Sequence, residues 1–493
     1  MGLSHGPRVL VVMAVCVIAL MGAASASARS AVSWMPSYRA PATPLKYDRV
    51  GVIKIGSPRA RNVLVLEPGT SVGSAYFVPL ARWVVSKEKG WQVWSVERRE
   101  NLLEDQSMLN AGKTGNATAT QAFDYYLGYL SNVSITHHYQ PLSATSAGFA
   151  KQWGMNVAVQ DLHTVIDRAA ALGGKVVLGG HSLGGSVVTA YATWDFGGRP
   201  GADRLAGLVY DDGASFGAET AHAARAALGQ LDAAAQTPWE TFGGIPAPYA
   251  GLFEITGALG AITAPDTPSP VAAFSVLPPD LKPPEPVTSL ALYGYALNVG
   301  SSPSGLAAAQ GHVGAGLSAT TINGYHGWNS AGALTPIKRF ATMFSGYGLQ
   351  GVDGVEWYFP QRLTDDTGAV DNGLPNPAQK VLNLHATMGR KLPHNLLMYA
   401  FGAALGGPLV PAATVALARQ SHVPMRNLTL LNEQSTYAHN DPAGAYPHNV
   451  FFTHLVTFLN RVAAQRGSAA GGLMRARAVG EGPVAPRRRV RVR

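Results

Sequence analysis

The sequence predicts an α/β fold: a mostly parallel central sheet flanked by helices, with one large insertion. Strand-like and helix-like segments alternate from about Tyr47 to Tyr210. The alternation stops between about Gly217 and Pro393 and resumes at Leu396. Several strands are short continuous apolar runs, as expected where both faces of a parallel sheet are covered.

Val50 to Ile55 is β-rich, and Asn62-Val63-Leu64-Val65-Leu66 reads as a buried strand. Ser74 to Lys89 follows as a helix with Tyr76, Leu80, Val84 and Val85 on one face. Trp91 to Val96 is the next strand and Met155 to Leu172 the next helix. Strand Lys175 to Leu178, helix Ser186 to Trp194 and strand Leu205 to Tyr210 complete the first half. After the break come strand Leu396 to Ala400, a helix near Ala412 to Arg419, strand Asn427 to Leu431 and a last helix from about Asn449 to Val462. Between the halves lie Ala-rich helical stretches, a proline cluster from Pro278 to Pro286 and Gly/Ser-rich turns. A structureless loop of roughly 175 residues is implausible, so this segment is expected to be a folded lid on one interrupted domain. The expected boundaries are 47–216 and 394–463 for the two parts of the core and 217–393 for the lid.

The termini read differently. Arg8, the apolar run Val9 to Met21, and the small residues of Ala24-Ser25-Ala26 and Ala26-Ser27-Ala28 form a cleavable export signal over 1–28. The run is shorter than the roughly 20 residues needed to span a bilayer. The one cysteine, Cys16, falls inside it, so the mature chain is expected to have no thiol for a disulfide, a metal or nucleophilic catalysis. A secreted protein follows. The net charge of +9 is concentrated at the C-terminus, where residues 466–493 hold eight Arg and one Glu. The expected basic tail, 464–493, reads as solvated and disordered, with at most a weak contact to an anionic surface. The body is near neutral, which gives no footprint for nucleic acid.

Gly-x-Ser-x-Gly marks a turn that presents a serine between a strand and a helix. It occurs around Ser4, Ser71, Ser182 and Ser215. Ser4 lies in the export signal. Ser71 comes too early, with one candidate strand before it. Ser215 is five residues beyond Tyr210, off the tight turn. Ser182 directly follows Lys175-Val176-Val177-Leu178-Gly179-Gly180 and precedes a helix, so it is the expected nucleophile. A serine needs a base in hydrogen-bond reach and an acid to orient that base. The loop after the last strand, Ser435 to Pro442, contains His439, the expected base.

With Gly180-His181-Ser182-Leu183-Gly184 and His439-Asn440-Asp441 at these places, the chain resembles the α/β-hydrolase superfamily, its lipase and esterase members in particular. The resemblance covers about 47–215 and 395–463. It implies the order Ser, acid, His. The acid usually follows the strand after the lid, but Tyr399 to Gly407 contains no Asp or Glu. Some lipases place it one strand earlier, and here that strand ends in Asp211-Asp212. Asp212, at an Asp-Gly turn, is preferred to Asp211; both could instead satisfy turn amides, and Glu433 and Asp366 are remoter options. The resemblance also implies oxyanion donors from the amides of Leu183 and Thr70, the latter in a Pro68-Gly69-Thr70 loop where many relatives have His-Gly.

No cofactor or metal is expected. There is no dinucleotide fingerprint or P-loop, and His312, His326 and His137-His138 lack metal-ligand spacing. The implied activity is hydrolysis of a small-molecule or lipid ester with an apolar acyl group. The alternatives are an acyltransferase using the same triad and a non-catalytic binding protein on the same fold.

Overall fold

The computed structural model of the chain describes residues 30–233 and 236–465. Residues 1–29, which include the segment expected to be an export signal and Cys16, and all but the first two residues of the expected basic tail lie outside the described residues.

Eight strands form one sheet: β1 (Ser33–Pro36), β2 (Arg49–Gly56), β3 (Asn62–Glu67), β4 (Trp91–Glu97), β5 (Val176–His181), β6 (Gly207–Asp211), β7 (Leu397–Gly402) and β8 (Leu428–Asn432). Their spatial order is β1-β2-β4-β3-β5-β6-β7-β8. β2 is antiparallel to both its neighbours, and from β4 to β8 every pairing is parallel. This is the mostly parallel central sheet that the sequence predicts. Every residue of β4, β5, β6 and β7 is buried, which explains why these strands read as apolar runs without alternation.

The helix Val78–Lys87 packs on β4 and on the C-terminal helix Val450–Ala464. Helix Met155–Ala170 lies against helix Leu183–Thr193, which leaves the end of β5. Two of the boundaries that differ from the sequence reading belong to helices named above. Ser74–Phe77 is a 3-10 turn before the helix proper. The helix after β5 starts at Leu183, not Ser186, because packing holds Gly184 and Gly185 helical despite their poor propensity.

Between β6 and β7 the chain leaves the sheet. It forms helices Ala221–Asp232, Ala247–Thr263, Ser289–Leu297 and Ile337–Ser345 and a hairpin of Gly316–Ile322 with Tyr325–Asn329. Trp357, Tyr358 and Phe359 of this insertion are buried in the same hydrophobic core as the sheet. No helix among the described residues is long and apolar enough to cross a membrane.

Candidate active site

Ser182 is the hinge between β5 and its helix. Its φ of 55° and ψ of −128° are a conformation that L-residues rarely adopt, and it sets the serine in a sharp turn at the C-terminal end of the interior strand β5. The glycines around it are there for space. A Cβ on Gly180 would overlap the Gly184 carbonyl, one on Gly184 the Glu67 carbonyl, and one on Gly213 the Ser182 carbonyl. The turn is tight because three backbones touch where side chains would otherwise stand.

Asp212 follows β6 directly, also at positive φ (45°). Its Oδ2 accepts from His439 Nδ1 at 2.6 Å. The amides of Ala403 (2.6 Å) and Gly406 (2.9 Å) donate to Oδ1, and that of Leu405 (3.2 Å) to Oδ2. Burial opposes the carboxylate's charge. The hydrogen bond and charge of His439 and the Ala403 amide outweigh it and hold the carboxyl below its usual range. Asp211 is the opposite case. Both its oxygens are buried with no hydrogen bond among the described residues. Burial, with the Asp212 charge adding, pushes its carboxyl well above the usual range. Of the two aspartates, the structure brings Asp212 to the histidine.

His439 is itself buried, at 1% exposure. With Nδ1 bonded to Asp212, its Nε2 carries the lone pair, and Nε2 makes no hydrogen bond among the described residues, Ser182 Oγ included. Such bonds are often long before substrate binds. The serine turn and His439 meet through His181, whose ring lies 4.4 Å from that of His439 and whose Nε2 donates to the His439 carbonyl at 3.1 Å. Burial, then the neighbouring His439, hold His181 down to about 3, so it remains neutral.

The loop after β3 abuts the serine: a Cβ on Gly69 would stand 2.8 Å from Ser182 Cβ. Neither the Thr70 amide beside it nor the Leu183 amide makes a hydrogen bond among the described residues. Both are half-buried.

The other sequence candidates have structural work. Ser71 Oγ donates to the Glu356 carbonyl at 2.8 Å. Ser215 is buried beyond the Gly213 turn. Asp366 accepts from the Met155 amide and Arg362. His312 bonds Asp441 at 2.6 Å, and no group of three or more His, Cys, Asp or Glu suited to a metal occurs among the described residues. A cleft of about 250 Å³ lined by Trp83, Arg339, Tyr446, His448, Phe452 and His454 includes none of Ser182, Asp212 or His439. Sequence reasoning missed Arg98, whose guanidinium holds the Pro68 and Gly69 carbonyls, and the amides around Asp212. The density of glycine in Gly402 to Gly407 was the available signal for those amides. Nothing in the sequence marks Arg98 as buried.

No protein-family model matches the chain, and no curated protein matches it. Among solved structures it is similar to a protein of Sulfolobus solfataricus assigned as a lipase (14% identity, TM-score 0.42, 87% of this chain and 93% of that chain). It is similar also to a monoacylglycerol lipase of Paleococcus ferrophilus (13%, 0.37, 84% and 99%). A third is a carboxyl esterase of Bacillus coagulans (12%, 0.36, 88% and 100%).

Proposed function

We propose that the protein is a carboxylic ester hydrolase that works through an acyl-enzyme on Ser182, His439 and Asp212. The observation that carries this reading is the buried Asp212–His439 pair, set in the loops at the ends of β6 and β8, with Ser182 on a strained turn at the end of β5 and the three in the chain order Ser, Asp, His.

His439 Nε2 takes the Ser182 hydroxyl proton as Oγ attacks the ester carbonyl. Asp212 stabilises the resulting imidazolium. The oxyanion accepts from the unpartnered amides of Leu183 and Thr70. Collapse breaks the ester C–O bond, and His439 returns the proton to the leaving alkoxide as an alcohol. Water, deprotonated by the same imidazole, then cleaves the acyl-enzyme and frees the acid. The insertion, with its Ala-rich helices, supports an ester with an apolar acyl chain. The export signal read over 1–28 supports a secreted enzyme. A fluorophosphonate probe tests the nucleophile: labelling of the wild type, abolished in Ser182→Ala, is expected. No labelling of folded protein, or equal labelling of Ser182→Ala, overturns it. Rates on p-nitrophenyl esters of increasing length are expected to rise from acetate towards longer acyl chains, and a steady fall overturns the apolar-substrate reading.

A further inference from the structure

Arg98 is the residue after β4, and it is buried against the back of the Glu67–Val72 loop. Its Nη1 donates to the Pro68 carbonyl at 2.9 Å, and its Nη2 to the carbonyls of Gly69 at 2.7 Å and Val72 at 3.3 Å. Two carboxylates hold the guanidinium in turn. Glu67, on β3, meets Nη1 at 3.1 Å. Glu356, from the insertion, accepts from Nε at 2.8 Å and also from Nη2. The insertion grips the same loop by its backbone. Glu356 N–H donates to the Ser71 carbonyl at 3.0 Å, and Ser71 Oγ returns a bond to the Glu356 carbonyl.

A trans peptide is planar, with its carbonyl and its N–H pointing in opposite directions. The guanidinium that binds the Gly69 carbonyl therefore turns the Thr70 N–H, in the same peptide, away from Arg98. The Gly69 backbone lies close against Ser182, where a Cβ on Gly69 would stand 2.8 Å from Ser182 Cβ. Fixing that carbonyl fixes the donor's direction. A lysine could not do the same, because three carbonyls and two carboxylates need the planar fork of several N–H groups.

We propose that Arg98 and Glu356 form a clamp through which the insertion sets the Pro68–Thr70 loop, making both of them positioning residues for the reaction at Ser182. The clamp rests on the ester-hydrolase reading. It makes the insertion a working part of the oxyanion site, beyond any part it has in covering the substrate.

The test uses the full chain with Glu356→Gln and Arg98→Lys. Endpoint fluorophosphonate labelling counts competent serines, and kcat is expressed per labelled site. The expected result is a fall in kcat per site of about tenfold to a hundredfold, with KM within about twofold, because an oxyanion donor acts on the transition state. Phenylboronic acid, which forms a tetrahedral adduct on serine, is expected to bind weaker by a similar factor. Glu356→Asp, which keeps the charge, is expected to retain more activity than Glu356→Gln. Wild-type kcat per site and wild-type boronate affinity in the variants overturn the clamp, even if fewer molecules fold. If Arg98→Lys gives no soluble protein, Glu356→Gln decides alone. Failure of the wild type itself to label overturns the hydrolase reading, a different outcome from labelled variants with undiminished turnover.

Discussion

Replacing Asp212 by Asn changes one atom and reverses the site's hydrogen-bond logic. The carboxylate accepts four hydrogen bonds, from His439 Nδ1 and the amides of Ala403, Leu405 and Gly406. An amide keeps one acceptor. If its oxygen stays at Oδ1, where Ala403 and Gly406 converge, its NH2 faces the His439 ring and the Leu405 N–H. Two donors then face each other, and His439 escapes by moving its proton to Nε2. That tautomer has no lone pair towards the serine. Where a triad loses its base in this way, the rate falls by about 10⁴. We expect kcat to fall by about 10³ to 10⁴, or about 4 to 5.5 kcal/mol of barrier. Losing the Leu405 bond and exchanging the His439 bond for a neutral one, where each bond to a charged acceptor is worth about 1.5–3 kcal/mol, is expected to cost about 2–4 kcal/mol of stability. Initial rates on p-nitrophenyl butyrate at pH 8, corrected for folded fraction, measure the first, and urea unfolding the second. Asp211→Asn is the control. The Asp211 carboxyl makes no hydrogen bond to His439 or to the β7 loop, so its variant should stay within about threefold. Activity of Asp212→Asn within tenfold of wild type, or a larger loss in Asp211→Asn, refutes the assignment of the acid.

Three further outcomes follow from packing and charge. Gly213→Ala places a methyl on the Ser182 carbonyl and should cost about 3 kcal/mol or more in urea unfolding, while Gly148→Ala, with open space around it, should be nearly neutral. The Asp441 bond raises the His312 pKa above its usual 6.5 despite burial, so His312 adds stability below about pH 6.5 that is lost as pH rises through its higher folded value. The melting-temperature gap between wild type and His312→Gln should therefore shrink between pH 6 and pH 9. Burial pushes Glu97 up to about 8, against the bonds from Ser74. Between about pH 4.5 and 8 the folded chain then holds a proton that the unfolded chain releases, so stability falls as pH rises through that window. Glu97→Gln should flatten the decline measured between pH 5 and pH 8.5.

The parts of the fold that sequence makes legible are those with strong local physics. Strands β3 to β7 are buried on both faces, so their apolar runs stand out. β1 escaped because four edge residues, two exposed and two half-buried, with a proline among them, carry no such run. Ser182 could be chosen from four identical motifs because strand and helix flank it, and His439 because it follows the last strand. Arg98 was not legible: it acts through contacts with Pro68, Gly69 and Glu356, which are far from it in sequence. His181 likewise reads as a filler inside the motif until the fold lays it against His439. The insertion's helices were visible as composition, but its pairing with the Ser71–Val72 loop depends on a bridge from Val72 to Val355 that no local pattern announces.

Two oddities of the sequence, an acid before the insertion and a glycine-rich loop after it, have one cause. β6 and β7 are parallel neighbours, with Asp211 opposite Phe401. Neighbouring strands lie about 4.8 Å apart, so an acid at the end of either one can reach the same histidine. When β6 supplies it, the positive φ of Asp212 turns the residue across to the β7 loop, and its amide donates to the Phe401 carbonyl at 2.8 Å. The loop no longer contributes a carboxylate. It contributes amides, and wrapping backbone that closely around another residue's side chain leaves no space for Cβ atoms. A Cβ on Gly406 would stand 2.9 Å from Asp212 Oδ1, one on Gly402 would overlap the Gly407 carbonyl, and Gly407 itself sits at a φ of 48°. The absence of Asp and Glu from Tyr399 to Gly407 and the glycines within it are therefore the same feature: a loop shaped to hold an acid that the preceding strand provides.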